Sequence, residues 1–402
     1  MRTQRRALIC AFLSVIGIGI SAYLQVVHIG MLRGELIGGA ACGASGTIFN
    51  CHAVTASPVG TILGLPLALW GVLAYLATLA LSLIAWQFSD WSERALTLLV
   101  GLSLVLLLDD LVLLAIMVTQ IQLLCPLCLA TYAISAGLLV TATWALGKRW
   151  SEAIKQIPAA LKAFLPAPRV AVVWIFWGVL LIAGSSAIAL ESTARYLTQG
   201  PKGMMRKQMT EFLSHQKRVA VTAQGDPTLG AANPSIRVVE FSDFRCPSCQ
   251  RAWQLNPVLL AGHRQIMSLT FKHYPLDTDC NAKIPRQVHP GACQLAAASE
   301  CAHEQGKFWE FHDLIFKDGP KYELANLERD AQQVGLNLTA YRECVAGGRG
   351  LEAVKRDIEE AARIGVSSTP TYVINGVVTV GAMPPAQFDE FLQTLQHAGE
   401  SR

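Results

Sequence analysis

The chain has 402 residues, 52% of them hydrophobic and 15% charged, with a formal net charge of +4. That balance excludes an ordinary soluble domain and fits a membrane protein carrying a soluble part. No basic stripe with interleaved aromatics is present, which excludes nucleic acid as a partner, and 11 cysteines point to an oxidising compartment.

Five stretches are apolar over about the 20 residues that a span requires: residues 7–27, 59–86, 95–118, 123–146 and 170–190. Arg2, Arg5 and Arg6 precede the first, which is long for a signal h-region and reads as a retained span. Lys148, Arg149, Lys155, Lys162 and Arg169 fill the connection between the fourth and fifth. By the positive-inside rule this connection and the N-terminus are cytoplasmic. Residues 30–58 carry Arg33 as their one Lys or Arg and belong outside, and five spans put the C-terminal half outside too. The charge count makes no use of cysteines, yet it places Cys42, Cys51, Cys125, Cys128, Cys246 and Cys249 on the outer side.

In "LLLDDLVLL" Asp109 and Asp110 fall within the third span. Intramembrane carboxylates are costly and often functional. Two readings stand: a neutral group hydrogen-bonded between helices, or a proton relay. In "IQLLCPLCLATYAI" Cys125 and Cys128 share one helix face. Pro126 is tolerated in the first turn, and the helix N-terminus favours a thiolate. The pair is a short-loop disulfide or a reactive dithiol; the bland alternative is two small core residues. Zinc would need further N or S ligands, and no metal is expected. Cys42 and Cys51 lie in a Gly-rich loop. A mobile pair beside a fixed pair suits sequential thiol–disulfide exchange; a static loop disulfide is the alternative.

Cys42, Cys51, then Ser57, then "CPLCLATYAI" two spans later resembles the vitamin K epoxide reductase family over roughly residues 7–146. The resemblance implies a four-helix bundle holding a quinone, ubiquinone or menaquinone, beside Cys128, with Tyr132 and Ser57 near its pocket. It also implies that Cys125 exchanges with Cys51, and Cys42 with an external partner. A dithiol gives up two electrons when it closes, so a two-electron, lipid-soluble acceptor fits.

Residues 191–234 are polar, with "QGPKG" and "QGDPTLGAANPS", and predict a helix near 204–218 and a flexible link. About 15 flexible residues reach roughly 20 Å. From Ile236, "IRVVEF" predicts a buried strand and "SDFRCPSCQRAW" a helix with Cys246 at its N-terminus. "SLTFKHYPL" predicts a second strand; a helical stretch to about residue 364, a hairpin in "TPTYVINGVVTVG" and a helix over 385–397 follow. The segments "EFSDFRCPSC" and "SSTPTYVINGV" resemble the DsbA-type thioredoxin family over about residues 225–397. That implies an exposed nucleophile at Cys246, a buried partner at Cys249, and a cis Pro370 after Thr369 lying against the pair; the bland alternative is a structural disulfide. Cys280 and Cys293 flank one loop, and Cys301 and Cys344 lie on either side of the helical insertion. Two structural disulfides are expected there, although sequence alone does not settle pairing. Cys10 is left as core packing, and His28 and His52 read as solvated or hydrogen-bonded groups near the outer surface. The aromatics of "EQGKFWEFHD" read as core of the insertion.

The expected fold is a multi-pass α-helical membrane protein, a four-helix bundle plus one span, with a C-terminal α/β thioredoxin-like domain carrying a helical insertion. Expected boundaries are 1–150 for the bundle, 151–192 for the cytoplasmic connection and fifth helix, 193–235 for a linker and 236–402 for the thioredoxin-like domain. The expected function is quinone-dependent disulfide formation in reduced exported proteins. Electrons would pass from the CPSC pair to the loop pair, the CPLC pair and the quinone, in a bacterial-type cytoplasmic membrane with the thioredoxin-like domain periplasmic. The rivals are a reductive conduit running outward and a membrane-anchored isomerase or thiol-binding module.

Overall fold

In lipid every backbone polar group must be satisfied within its own segment, so apolar runs of span length become helices. The computed structural model describes residues 2–33, 35–37, 42, 49–164, 171–199 and 204–400. It divides the chain into one unit of Met1–Ala44 and Ile48–Lys202 and a second of Ser45–Thr47 and Gly203–Arg402.

The first unit contains α1 (Arg2–Leu32), the short α2 (Cys51–Ala56), a small hairpin of β1 (Thr61–Ile62) and β2 (Leu65–Pro66), α3 (Leu67–Gln87), α4 (Ser89–Ile116), α5 (Pro126–Leu146), α6 (Trp150–Ala163) and α7 (Ala171–Gln199). Among the described residues five helices are long and apolar enough to span a membrane. α1 packs on α3 and α5, and α4 packs on the same two, which closes a four-helix bundle; α7 packs on α3 and α1, and α6 on α4. Small residues permit the close approaches. A Cβ on Gly17 would lie 2.6 Å from the Tyr75 ring, and one on Gly71 would lie 2.8 Å from Ser21 Oγ. Ser14 and Thr78 hydroxyls hydrogen-bond across α1 and α3 at 2.8 Å. Cys10 is buried and its thiol donates to Thr141 Oγ1 at 3.3 Å.

Three expected spans change their limits. The second begins at Leu67, not Val59: residues 58–60 form a 3₁₀ turn, and the chain reverses through Leu63 (φ +52°) and Gly64 (φ +77°). Both angles are left-handed, as a two-residue hairpin requires. The third runs on through a π-helical turn at Met117–Ile121 and stops at Gln122, whose φ is +56°. The fifth continues nine polar-rich residues past Leu190 to Gln199. Counting apolar residues misses this extension because its charges are paired inside. Glu191 is 1% exposed and accepts from Arg195 Nε at 2.7 Å and from Gln25 Nε2 of α1 at 2.8 Å, with His28 Nε2 at 3.4 Å.

The second unit runs α8 (Met204–His215), β3 (Thr228–Gly230), β4 (Ile236–Ser242), α9 (Pro247–His263), β5 (Met267–His273), α10 (Ala292–His303), α11 (Phe308–Asp318), α12 (Leu327–Gln333), α13 (Leu338–Ala346), α14 (Arg349–Arg363), β6 (Thr371–Ile374), β7 (Val377–Val380) and α15 (Pro385–Glu400). The sheet order is β3-β5-β4-β6-β7; β4 and β5 are parallel and every other pairing is antiparallel. This is a thioredoxin-like α/β unit with α10–α14 inserted between β5 and β6. β4 is central, and six of its seven residues are buried, which is why its sequence reads as a continuous apolar run.

The stretch 193–235 is largely ordered rather than a flexible link. Its helix α8 packs on α15, with Leu213 in the core and Arg206 paired to Glu390 at 2.7 Å. Val219 N–H donates to Gly376 O at 2.8 Å, Thr222 N–H to Glu360 at 3.0 Å, and Asp226 pairs with Lys272 at 2.8 Å. The 15-residue tether is therefore absent from that segment; residues 200–203 lie outside the described residues. In the insertion Cys280 is bonded to Cys293 and Cys301 to Cys344. Phe308 and Phe311 are buried in the core beside the second disulfide.

Removing the Cys301–Cys344 disulfide as the double Ser variant opens a 43-residue separation. The chain-entropy relation gives a loss of about 4 kcal/mol. It is checked as a lower urea midpoint for the α/β unit of the full-length protein in detergent.

Candidate active site: three cysteine pairs

Before α2 and α5 the chain runs in short extended pieces, and these zip together. Phe49 and Leu124 form a parallel bridge, and Asn50 N–H donates to Leu124 O at 2.8 Å. Asn50 also caps α2, accepting from Ala53 N at 3.0 Å. The next residue on one side is Cys51 and on the other Cys125. Their sulfurs are 3.1 Å apart. Cys125 is the N-cap of α5 and its sulfur accepts from Cys128 N–H at 3.1 Å, with Pro126 in the first turn. Cys125 and Cys128 are disulfide-bonded. Cys42, Cys51 and Cys125 are fully buried. Cys42 hydrogen-bonds Cys51, which lowers the Cys42 thiol below its ordinary value; the same bond, with burial, pushes the Cys51 thiol up. His52 Nε2 donates to Ile37 O at 2.8 Å, and burial lowers its basicity, so it is a hydrogen-bonded structural group.

Beside this junction lies a cavity of about 350 Å³ walled by α1, α3, α4, α5 and the α2 segment. Cys128, Thr131, Tyr132 and Ser135 line it from α5, Tyr75 from α3, and Asp109 and Asp110 from α4. Ser57, expected near the pocket, is not in its wall. Its hydroxyl donates to Val54 O at 2.7 Å and is 3% exposed, while Val54, Thr55, Val59 and Gly60 line the space instead. The α2 segment turns back on itself there, because a Cβ on Gly60 would lie 2.2 Å from Thr55 O. Volume and lining suit an apolar molecule with a few polar atoms.

In the second unit Cys246 is the N-cap of α9 with Pro247 in the first turn, and Cys249 lies one turn in. Both are free thiols. Cys246 retains 6% exposure, less open than expected of an exposed nucleophile, and Cys249 none. The Cys246 thiol lies 3.5 Å from Thr369 O, and the Thr369–Pro370 peptide is cis. Donation from Cys249, then from Thr369 and the backbone N–H groups of Cys249 and Ser248, lowers the Cys246 thiol to about 5 against the opposing effect of burial. Burial, then the hydrogen bond to Cys246 and the charge there, hold Cys249 well above its ordinary value. Cys246 is therefore a thiolate at neutral pH and Cys249 a thiol.

Two neighbours were not singled out by the sequence. Glu240 is buried in β4, accepts from Asn256 Nδ2 at 2.6 Å, and is pushed up to about 7 by burial. Its signal was present: the one charged residue facing inward in "IRVVEF". His289 donates to Asp243 Oδ2 at 2.7 Å, a bond that raises its basicity. No spacing links His289 to the CPSC motif 43 residues upstream of the loop that carries it.

Together the fold and these sites define a multi-span helical protein with a thioredoxin-like domain and three cysteine pairs, the residue set that thiol–disulfide exchange uses. Residues 8–143 match the model of the Vitamin K epoxide reductase family, and residues 237–393 that of the DSBA-like thioredoxin domain. The two matches lie in series, the first over the membrane helices and the second over the α/β unit. Among curated proteins the chain is similar to Na(+)/H(+) antiporter NhaA 3 of Salinispora tropica, 36% identical over 158 residues, 39% of this chain and 23% of that one. It is also similar to Na(+)/H(+) antiporter NhaA 1 of Mycolicibacterium vanbaalenii, 28% identical over 177 residues, 42% of this chain and 27% of that one. The chain thus spans about a quarter of the length of the curated relatives it matches. Among solved structures, oxidised BdbD from Bacillus subtilis is 21% identical with a TM-score of 0.39, covering 45% of this chain and 98% of that one. A thioredoxin-like oxidoreductase from Silicibacter pomeroyi is 22% identical with a TM-score of 0.37, covering 43% and 94%.

Alkylation of Cys246 in the reduced full-length protein, read by peptide mass spectrometry, should have its midpoint near pH 5. Cys249→Ala should move that midpoint upward, since the Cys249 hydrogen bond is the largest lowering influence. The folded value lies below the unfolded one of about 8.5. The reduced domain should accordingly gain stability as pH rises from 5 towards 8.5 and lose it as pH falls through 5.

Proposed function

We propose that the protein catalyses disulfide formation in exported proteins, using a membrane quinone, ubiquinone or menaquinone, as the electron acceptor. The observation that carries this reading is the 3.1 Å separation of Cys51 Sγ from Cys125 Sγ, with Cys128, the other half of that disulfide, in the cavity wall. Attack of Cys51 on Cys125, with the Cys51 proton passing to the hydrogen-bonded Cys42 sulfur, breaks the Cys125–Cys128 bond and releases Cys128 as a thiolate towards the cavity. Cys42, the more acidic thiol of its pair, then attacks Cys51 and frees Cys125. The sum oxidises Cys42 and Cys51 to a disulfide and reduces Cys125 and Cys128 to a dithiol, with electrons and bonds in balance.

The cavity is the fitting place for the acceptor. Its wall is apolar apart from hydroxyl and carboxyl groups, and Tyr132 lies in it. A bound quinone would supply a sink for two electrons and two protons, which is what the dithiol releases when it closes. On the thiol side, the Cys42–Cys51 disulfide would be reduced by Cys246 and Cys249, the thiolate at Cys246 attacking first. The Cys246 sulfur lies 3.5 Å from the carbonyl of Thr369, the residue before the cis Pro370. The sequence's charge asymmetry supports a periplasmic side for these steps, where reduced exported proteins would be the electron donors. Residues 1–150 then serve the acceptor and 236–402 the protein substrates.

Pre-reduced full-length protein in detergent should reduce a ubiquinone or menaquinone analogue, followed by quinone absorbance. Cys128→Ser should abolish that reduction. Cys51→Ser should leave the Cys246 and Cys249 thiols reduced in the presence of quinone. Wild-type protein inert towards both quinone classes would overturn the reading.

A further inference from the structure

The cavity has one wall built from the redox disulfide and another from an acid. α4 carries Asp109 and Asp110 inside an otherwise apolar run, and both side chains line the same space as Cys128. No Lys, Arg or His lines it among the described residues. A carboxylate there has no cation to offset its transfer out of water, which favours the neutral acid. A neutral carboxyl has an O–H to donate.

Most other polar hydrogens in the wall are already used. Tyr75 Oη donates to Thr131 O at 2.9 Å, Thr131 Oγ1 to Cys128 O at 2.7 Å, and Ser135 Oγ to Thr131 O at 3.2 Å. Thr55 Oγ1 donates to Cys51 O. Asp110 Oδ2 is buried and has no hydrogen-bond partner among the described residues. Tyr132 also lines the cavity, but a phenol is ordinarily weaker than a carboxylic acid by about six pH units.

We propose that Asp110 is the proton donor of the cavity, giving the proton of its carboxyl to an oxygen of the bound acceptor. This rests on the quinone reading above. Closing Cys125–Cys128 releases two electrons and two protons, the same number that conversion of a quinone to its quinol consumes. Asp110 gives one proton to one acceptor oxygen and recovers one from the Cys128 side, while the second proton of the dithiol goes to the other acceptor oxygen, so Asp110 is protonated before and after and the balance closes. Asp109 is the more exposed of the two acids and is the neighbour from which the assignment must be separated.

The test compares wild type, Asp110→Asn, Asp110→Glu and Asp109→Asn as full-length proteins in detergent. Asp110→Asn should slow single-turnover quinone reduction by about 10²-fold or more, and Asp110→Glu should restore most of it. Quinone affinity, read by quenching of Trp70 in the cavity wall, should weaken by no more than about tenfold, the scale of one hydrogen bond. Reduction of the Cys125–Cys128 disulfide by dithiothreitol without quinone should be unchanged, which a general packing defect would not leave intact. Infrared difference spectra of the disulfide and dithiol states should contain a carboxylic-acid carbonyl band that Asp110→Asn removes. If wild type reduces quinone and Asp110→Asn does so within about threefold, or if Asp109→Asn alone carries the loss, the assignment to Asp110 falls while the quinone reading stands. If wild type reduces no quinone, both fall together.

Discussion

The approach of Cys51 to Cys125 in the membrane unit depends on one short piece of backbone pairing, the bridge between Phe49 and Leu124 with its Asn50 N–H to Leu124 O hydrogen bond. Thiol exchange needs two sulfurs in near contact, and loop side chains do not hold such a distance unaided. Here each cysteine is the residue beside a fixed peptide, and each begins a helix. Asn50 caps one helix and Cys125 the other, so their capping hydrogen bonds set the two sulfurs 3.1 Å apart.

The two Cys-Pro-x-Cys motifs share a local design and differ in surroundings. In both, the first cysteine is an N-cap and proline occupies the first turn, where a missing N–H removes no helical bond. At Cys246 the neighbours are the Cys249 thiol, the Thr369 side chain and backbone N–H groups, which together favour the thiolate. At Cys128 the neighbour is an apolar cavity with acids in its wall. In the proposed scheme the same Cys-Pro-x-Cys spacing therefore serves exchange with protein thiols in one unit and electron transfer to a lipid-soluble acceptor in the other.

Pairing inside the membrane unit also explains where its spans end. Glu191 would be an unlikely helix residue beside an apolar run if it stood alone. With Arg195 one turn on and Gln25 and His28 on α1, it is a buried group whose oxygens are all engaged, and it ties the fifth span to the first. The same principle orders residues 216–227, whose polar composition reads as coil but whose backbone is hydrogen-bonded to the β6–β7 turn and to α14.

Residue type and short spacing by themselves determined the five helices, the two Cys-Pro-x-Cys helix starts, the strands flanking the second, and the presence of costly carboxylates in the third span. These are local properties, set by hydropathy over 20 residues, by proline's fixed φ and by periodicity. Tertiary structure alone decided what meets across long separations. It put Cys51 3.1 Å from Cys125, a meeting that the sequence offered only through resemblance, and His289 on Asp243, 46 residues apart. It turned Asp109 and Asp110 into a wall shared with Cys128, and left Ser57 just behind that wall. Helix rotation and the fold-back at Gly60 select which side chains face a cavity, and both are fixed by packing between segments that no single stretch of sequence contains.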